Sequence, residues 1–346
     1  MSPRIFSIIF LMTIIFVASA FYAISREPGF TVTKTGAVLF PELVTSIDSV
    51  GKIVIRSRKQ SMTMLFDKDK WVMQESDSYP IQSRNIKKVI LELSNLRYFD
   101  VKTKNEGKHS KLDLRNLNEE GSRGRRAIIY DLQGKKLAEA IFGKEKYNMP
   151  GINNAGIYFR WPNDPQSWLA SGQLEMSRSP EDWLESKIVD IDRKEIKEVK
   201  FAHSDGEVLT ISKQVDKNTF VLQERPSNTK LKYDSDPENM ATVLEGFELE
   251  NVKKAGSIEF GRSDIITANF STFDGLELTL RMVSIEVKDE EELDYWVEIS
   301  ASSEEKGLKN RVDSINDRVS PWVFKIPTYK ASRLKKRLVD ILESKK

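Results

Sequence analysis

Two hydrophobic patterns alternate along this chain. Short stretches switch between apolar and polar residues at every second position, as half-buried strands do. Others space apolar residues three and four apart, as one face of a helix does. KIVIRS (52–57) reads as a strand. SMTMLFD and KWVMQE follow, separated by Asp67-Lys68-Asp69-Lys70, which is a hairpin signal. Pro80 then leads into IQSRNIKKVILELSNL, with Ile86, Val89, Ile90, Leu93 and Leu96 on one helical face. AIIYDLQGKKLAEAIFG places two strands around Gly134, and GIYFRW (156–161) adds another.

The same order then recurs. EVKFAHSDGEVLTISK gives two strands around Asp205-Gly206, and NTFVLQE gives a third. Pro237 opens a short helix, PENMATVLEGFEL, with Met240, Val243, Leu244 and Phe247 inward. IITANFSTFDGLELTLRM gives two strands around Asp274-Gly275, and YWVEIS (295–300) gives one more. The clearest trace of repetition is a pair of ten-residue stretches, DKDKWVMQES from Asp67 and DKNTFVLQER from Asp216. They start 149 positions apart and share five residues. Each reads as the hairpin turn and third strand of its unit, with Trp71 and Phe220 plugging equivalent cores. SPEDWLESKIVDI (179–191) closes the first unit with Trp183, and SPWVFKIPTYKASRLKKRLVDIL (320–342) closes the second with Trp322. A repeat this long points to tandem domains rather than a solenoid.

Ahead of both units, residues 5–24 read IFSIIFLMTIIFVASAFYAI and carry no charge. Twenty helical residues span about 30 Å, the thickness of a bilayer's hydrocarbon core. The expected fold class is therefore α+β: an N-terminal transmembrane helix, then two tandem duplicated units of mainly antiparallel sheet with a packed helix. The expected boundaries are 1–28 for the anchor or signal helix, 29–46 for a linker, 47–190 for the first unit and 191–346 for the second. Ala18-Ser19-Ala20 fits a signal-peptidase site. The run stays apolar beyond it through Ile24, which favours a retained anchor. Either reading puts the body outside the cytoplasm.

Charge and composition narrow the chemistry. With 54 basic and 52 acidic residues the net charge is +2, too even to draw the chain to nucleic acid. The absence of cysteine excludes disulfides, thiolate nucleophiles and cysteine metal sites. His109 and His203 are 94 positions apart, not four apart as a metalloprotease helix needs, and both read as surface residues. Phosphate-binding motifs of the G-x-x-x-x-G-K-[ST] and G-x-G-x-x-G kinds do not occur. GSRGRR, with Arg123, Arg125 and Arg126, reads as a solvated loop. The run Arg333, Lys335, Lys336 and Arg337 reads as the wet face of a C-terminal helix. Asp289, Glu290, Glu291, Glu292 and Asp294 lack the spacing and glycine of a calcium loop and read as solvated. No catalytic, cofactor-binding or metal-binding residue is therefore named, and no cofactor is expected. Trp161 and Trp168 in RWPNDPQSWL are the candidate ligand or partner contacts.

Four stretches taken in order carry a resemblance. They are KWVMQE with its following proline and helix, IFGKE followed by GIYFRW, WLESKIVDIDRKEIKEVKF, and WVFKIPTYKASRLKKRLVDIL. Together they resemble the domain of unknown function 4340 (DUF4340) family over most of the chain. The resemblance implies a membrane-anchored bacterial envelope protein, often linked with ABC-type transport systems of the gliding-auxiliary kind. It supplies no catalytic residues to carry over. The expected function is a non-enzymatic accessory or scaffold protein of the envelope, with ABC-type permease or ATPase subunits as partners. It is expected to be single-pass in the inner-membrane lipid bilayer, with its body in the periplasm, or to be released there after cleavage near Ala20. The alternative is an extracytoplasmic module that binds a glycan or peptidoglycan fragment in a cleft between the repeats. An uncharacterised hydrolase is the remaining enzymatic option.

Overall fold

The computed structural model describes residues 35–149, 155–261, 264–287 and 292–343, together with Thr13. The first nine strands are β1 (Val50–Arg56), β2 (Ser61–Asp67), β3 (Lys70–Met73), β4 (Tyr79–Pro80), β5 (Arg97–Val101), β6 (Arg125–Asp131), β7 (Lys136–Tyr147), β8 (Ala155–Arg160) and β9 (Ser167–Ser171). The next five are β10 (Lys187–Val189), β11 (Ile196–His203), β12 (Val208–Gln214), β13 (Thr219–Leu222) and β14 (Phe247–Glu248). The last five are β15 (Asn251–Lys254), β16 (Ile266–Thr272), β17 (Glu277–Glu286), β18 (Leu293–Ser302) and β19 (Trp322–Ile326). Helices are short; the longest described one is Ser83–Asn95, which buries Ile86, Val89, Ile90 and Leu93.

The chain forms two compact units that interleave along the sequence. One is Met1–Thr63 with Arg84–Met176; the other is Met64–Ser83 with Ser177–Lys346. In the first unit, β1, β6, β7, β8, β9 and β5 lie side by side in that order, all antiparallel. Its core includes Ile53, Ile129, Phe142, Ile157, Phe159 and Leu169. In the second unit the sheet runs β13-β12-β11-β16-β17-β18-β19-β15. The succession β11-β16-β17-β18-β19-β15 repeats that of β1-β6-β7-β8-β9-β5.

The segment 64–83 belongs to the second unit, and its contacts there are specific. Tyr79 is 2% exposed, with its ring 5.0 Å from that of Trp322 and its hydroxyl donating to the Glu185 carbonyl at 3.0 Å. Ile81 bridges to Leu184, and the Gln82 amide donates to the Trp183 carbonyl at 2.9 Å. The hairpin turn of this segment is tight. Asp67 pairs with Lys70, so Lys68 and Asp69, at φ 45° and 64°, form a two-residue loop of the primed kind that matches strand twist.

The expected α+β architecture headed by a transmembrane helix is corrected. The described residues are mainly antiparallel sheet, with strand residues outnumbering helical ones. Among the described residues no helix is long and apolar enough to cross a membrane. The physical reason is that each helix has one buried stripe and a polar remainder, and the 13 residues of Ser83–Asn95 reach only about 20 Å. The apolar run 5–24 lies outside the described residues, apart from Thr13. The helix opened by Pro237 is also shorter than its pattern suggests: it spans Asp236–Ala241, and Gly246 at φ 52° turns the chain beyond it.

Candidate functional site

The β6–β7 hairpin frames the site. Its turn is held by Asp131, whose side chain accepts from the Gln133 and Lys135 amides at 3.0 and 2.8 Å, and Gly134 supplies a φ of 83°. Just after the turn, the start of β7 borders a groove of ≈530 Å³. The opposite rim is the segment from Leu39 to Glu42, and the end wall is Trp161-Pro162-Asn163. The helix Pro41–Thr45 begins in that rim and packs against β7.

An ion-paired floor and an aromatic wall give the groove its chemistry. Arg126 Nε donates to Glu139 at 2.7 Å, and Lys136 pairs with the same carboxylate. Burial works against the Glu139 charge, but the hydrogen bonds from Lys136 and Arg126 outweigh it and hold the carboxyl below the usual carboxylate range. On the wall, the Trp161 ring meets Phe40 at 5.6 Å and Phe159 at 5.7 Å, edge-on to both. Trp161 also hydrogen-bonds Tyr98, whose hydroxyl burial pushes above the usual phenol range. The indole is thus clamped on three sides, yet it is only partly buried and still lines the groove.

Trp168 sits in β9, 5.2 Å from Tyr98, so that one tyrosine joins both candidate tryptophans. Trp168 takes no part in lining the groove. Trp71 and Phe220 are the second residues of β3 and β13, opposite Phe66 and Lys213. Both are largely buried. Trp183 lies in the turn Pro180–Trp183, whereas Trp322 opens β19, the strand that answers to β9 in the repeated order.

Several polar residues differ from their sequence reading. His109 and His203 are buried, at 4% and 6% exposure. Each ring is committed to a backbone carbonyl: His109 Nε2 to Pro165 at 2.9 Å, and His203 Nε2 to Lys336 at 3.2 Å. Arg125 and Arg126 are strand residues, and buried Arg125 donates to the Met176 carbonyl. The C-terminal basic run is not one wet helical face. The helix ends at Leu334, and Lys335 donates to the Tyr295 hydroxyl. Lys336 pairs with Asp236, and Arg337 with Asp205 and Glu207. Of the acidic patch, Asp289, Glu290 and Glu291 lie outside the described residues, while Asp294 pairs with Lys325 at 2.6 Å. Among the described residues no group of three or more His, Asp or Glu could hold a metal ion. Sequence reading missed Phe40, Arg126, Lys136 and Glu139. Their signal was indirect: the Trp-Pro-Asn-Asp stretch cuts GIYFRW shorter than its counterpart YWVEISAS.

Fold and groove define a mainly antiparallel β protein that uses one strand succession twice and carries an aromatic-walled, ion-paired groove in its first unit. The chain belongs to the DUF4340 family: the family model described as Domain of unknown function (DUF4340) matches residues 71–265. No match was found among curated proteins or among solved structures.

Proposed function

We propose that this chain is a non-enzymatic accessory protein that works by holding a partner, and that the groove of its first unit is where it holds it. One observation carries the reading. A rigid indole, fixed by Phe40, Phe159 and Tyr98, faces open space beside two cations, Arg126 and Lys136, that share the Glu139 carboxylate. Pre-organised aromatic anchors next to satisfied polar groups are what binding surfaces use. The partners to seek first are the ABC-type permease and ATPase subunits that the family resemblance implies.

The test uses the full chain with a photo-crosslinking residue in place of Asn163, on the groove rim, and in a second version in place of Leu91, exposed on the Ser83–Asn95 helix. A discrete protein adduct from position 163 and none from position 91 is the expected result. Equal adducts at both positions, or none at 163, would sink the reading. A glycan ligand is separated by the same experiment, because it yields no protein band and competes with none.

A further inference from the structure

The groove lies where the second unit has a strand and the first has none. In the second unit β18 pairs with β17 along its whole length, from Glu277↔Ser302 to Glu286↔Leu293. In the first unit β8 pairs with β7 only from Ile141↔Arg160 onward. Both long strands begin two residues after a turn glycine, Gly134 at φ 83° and Gly275 at φ 92°. β7 carries one extra residue, Leu137, in a bulge between the pairs Tyr130↔Lys136 and Ile129↔Ala138. Past it Ala138–Ala140 answer to Leu278–Leu280, Ile141↔Arg160 answers to Arg281↔Glu298, and Phe142↔Phe159 answers to Met282↔Val297. Beyond Arg281↔Glu298 the second unit lays down Ile299 to Ser302 against Glu277–Leu280.

The first unit turns away instead. Arg160 is followed by Trp161-Pro162-Asn163-Asp164, with proline in the second place and Asn163 at φ 63° in the third. The turn is closed by the Asp164 amide on the Trp161 carbonyl at 3.3 Å. Proline has no N–H to continue a ladder, and a positive φ in the third place is the mark of a type II turn. Lys136–Ala140 keep β6 on one side and, among the described residues, have no strand on the other.

The shape of the void agrees. Lys136, Leu137, Ala138 and Glu139 all line it. Consecutive strand residues point to opposite faces, so a space touched by four in a row runs along the strand's edge. Unpaired backbone groups on such an edge are a template for another strand.

We propose that this edge takes an extended segment of a partner protein as an added strand, antiparallel to β7, in the position that Ile299–Ser302 hold in the second unit. The proposal rests on the binding reading above and narrows it to strand addition, in which main-chain hydrogen bonds give affinity and alternate side chains give selectivity. An apolar residue on the incoming strand meets Trp161 and Phe40. Two cations, Arg126 and Lys136, share one carboxylate, Glu139, and the other lining carboxylate, Glu42, is paired with Lys135, so the floor favours an acidic residue beside Lys136.

The test pans the full chain against a displayed library of random peptides of about eight residues, the length of a short added strand. Selected peptides are expected to slow amide exchange within Lys136–Ala140. Methylating alternate backbone nitrogens of a selected peptide should weaken it about tenfold per lost pair of hydrogen bonds. Lys136→Glu, at an exposed side chain, should reverse the preference for acidic peptides. Four results overturn the proposal: no peptide selected, exchange at 136–140 unchanged on binding, affinity indifferent to backbone methylation, or protection that rises with protein concentration without peptide. The last would mean that a second copy of the chain occupies the edge. If the adduct from position 163 persists while the peptide results fail, the binding reading stands and strand addition alone falls.

Discussion

Tyr79 shows how much one residue settles here. Its ring packs on Trp322, and burial holds its hydroxyl well above the usual phenol range while that hydroxyl donates to the Glu185 carbonyl. Tyr79→Phe keeps the ring and leaves a part-buried carbonyl without its donor, so it should cost about 1 kcal/mol in urea unfolding. A loss near zero would show that water replaces the bond. Glu139 makes a pH prediction. Its folded carboxyl is held below the usual range, so the unfolded chain takes up protons first as pH falls. The stability it contributes is complete above the ordinary carboxylate pKa and is lost as pH drops through the depressed folded value. Glu139→Gln should flatten that acid limb and leave the pH dependence near neutrality unchanged. An acid limb of unchanged slope would assign it to other carboxylates. Glu139 was visible in the sequence only as a member of a strand-like run, and Tyr79 lay between a strand-like run and a helical one. Neither partner, 106 residues away for Tyr79 and 13 away for the nearest Glu139 arginine, could be chosen from it.

At the scale of elements, the decisive piece is the turn after β8. Asn163 sits at φ 63°, a conformation that asparagine and glycine accept and β-branched residues resist. Asn163→Gly should be close to neutral, and Asn163→Val should cost about 1–2 kcal/mol of backbone strain. If Val is tolerated as well as Gly, the turn is not what stops the strand. The alternation of GIYFRW and the Pro-Asn pair were legible in advance. The strand Ser167–Ser171 was not, because two prolines and polar residues surround its start. The polar stretch from Ser302 to Asp317 gives a similar lesson. It reads as a mobile loop or a segment ordered by partners, yet Lys309–Val319 is a helix that buries Ile315 and Val319, four residues apart. Asn316 on that helix also bonds both the amide and the carbonyl of Ala301. Two apolar residues at helical spacing were enough once a sheet edge lay beside them.

Across the whole molecule, chain order and compact units do not coincide. Residues 64–83 stand in the first half of the sequence but belong to the second unit. A chain of residues 177–346 alone should therefore lack a cooperative thermal transition, because Trp322 and Phe324 lose their contacts with Tyr79 and Leu184 loses its bridge to Ile81. Supplying residues 64–83 in the same polypeptide should restore it. A sharp transition without that segment would show the unit complete in itself.

The sequence by itself determined the strands that alternate cleanly, the repeated order of those elements and the family, because alternation and turn chemistry depend on immediate neighbours. Tertiary structure alone decided which unit owns the segment 64–83, which carbonyls the two histidines satisfy and which half of β7 stays open. Those outcomes turn on surfaces brought together across long stretches of chain. A strand edge is open or closed according to where a neighbouring strand stops, and that neighbour's own sequence says so only when its pairing register is known.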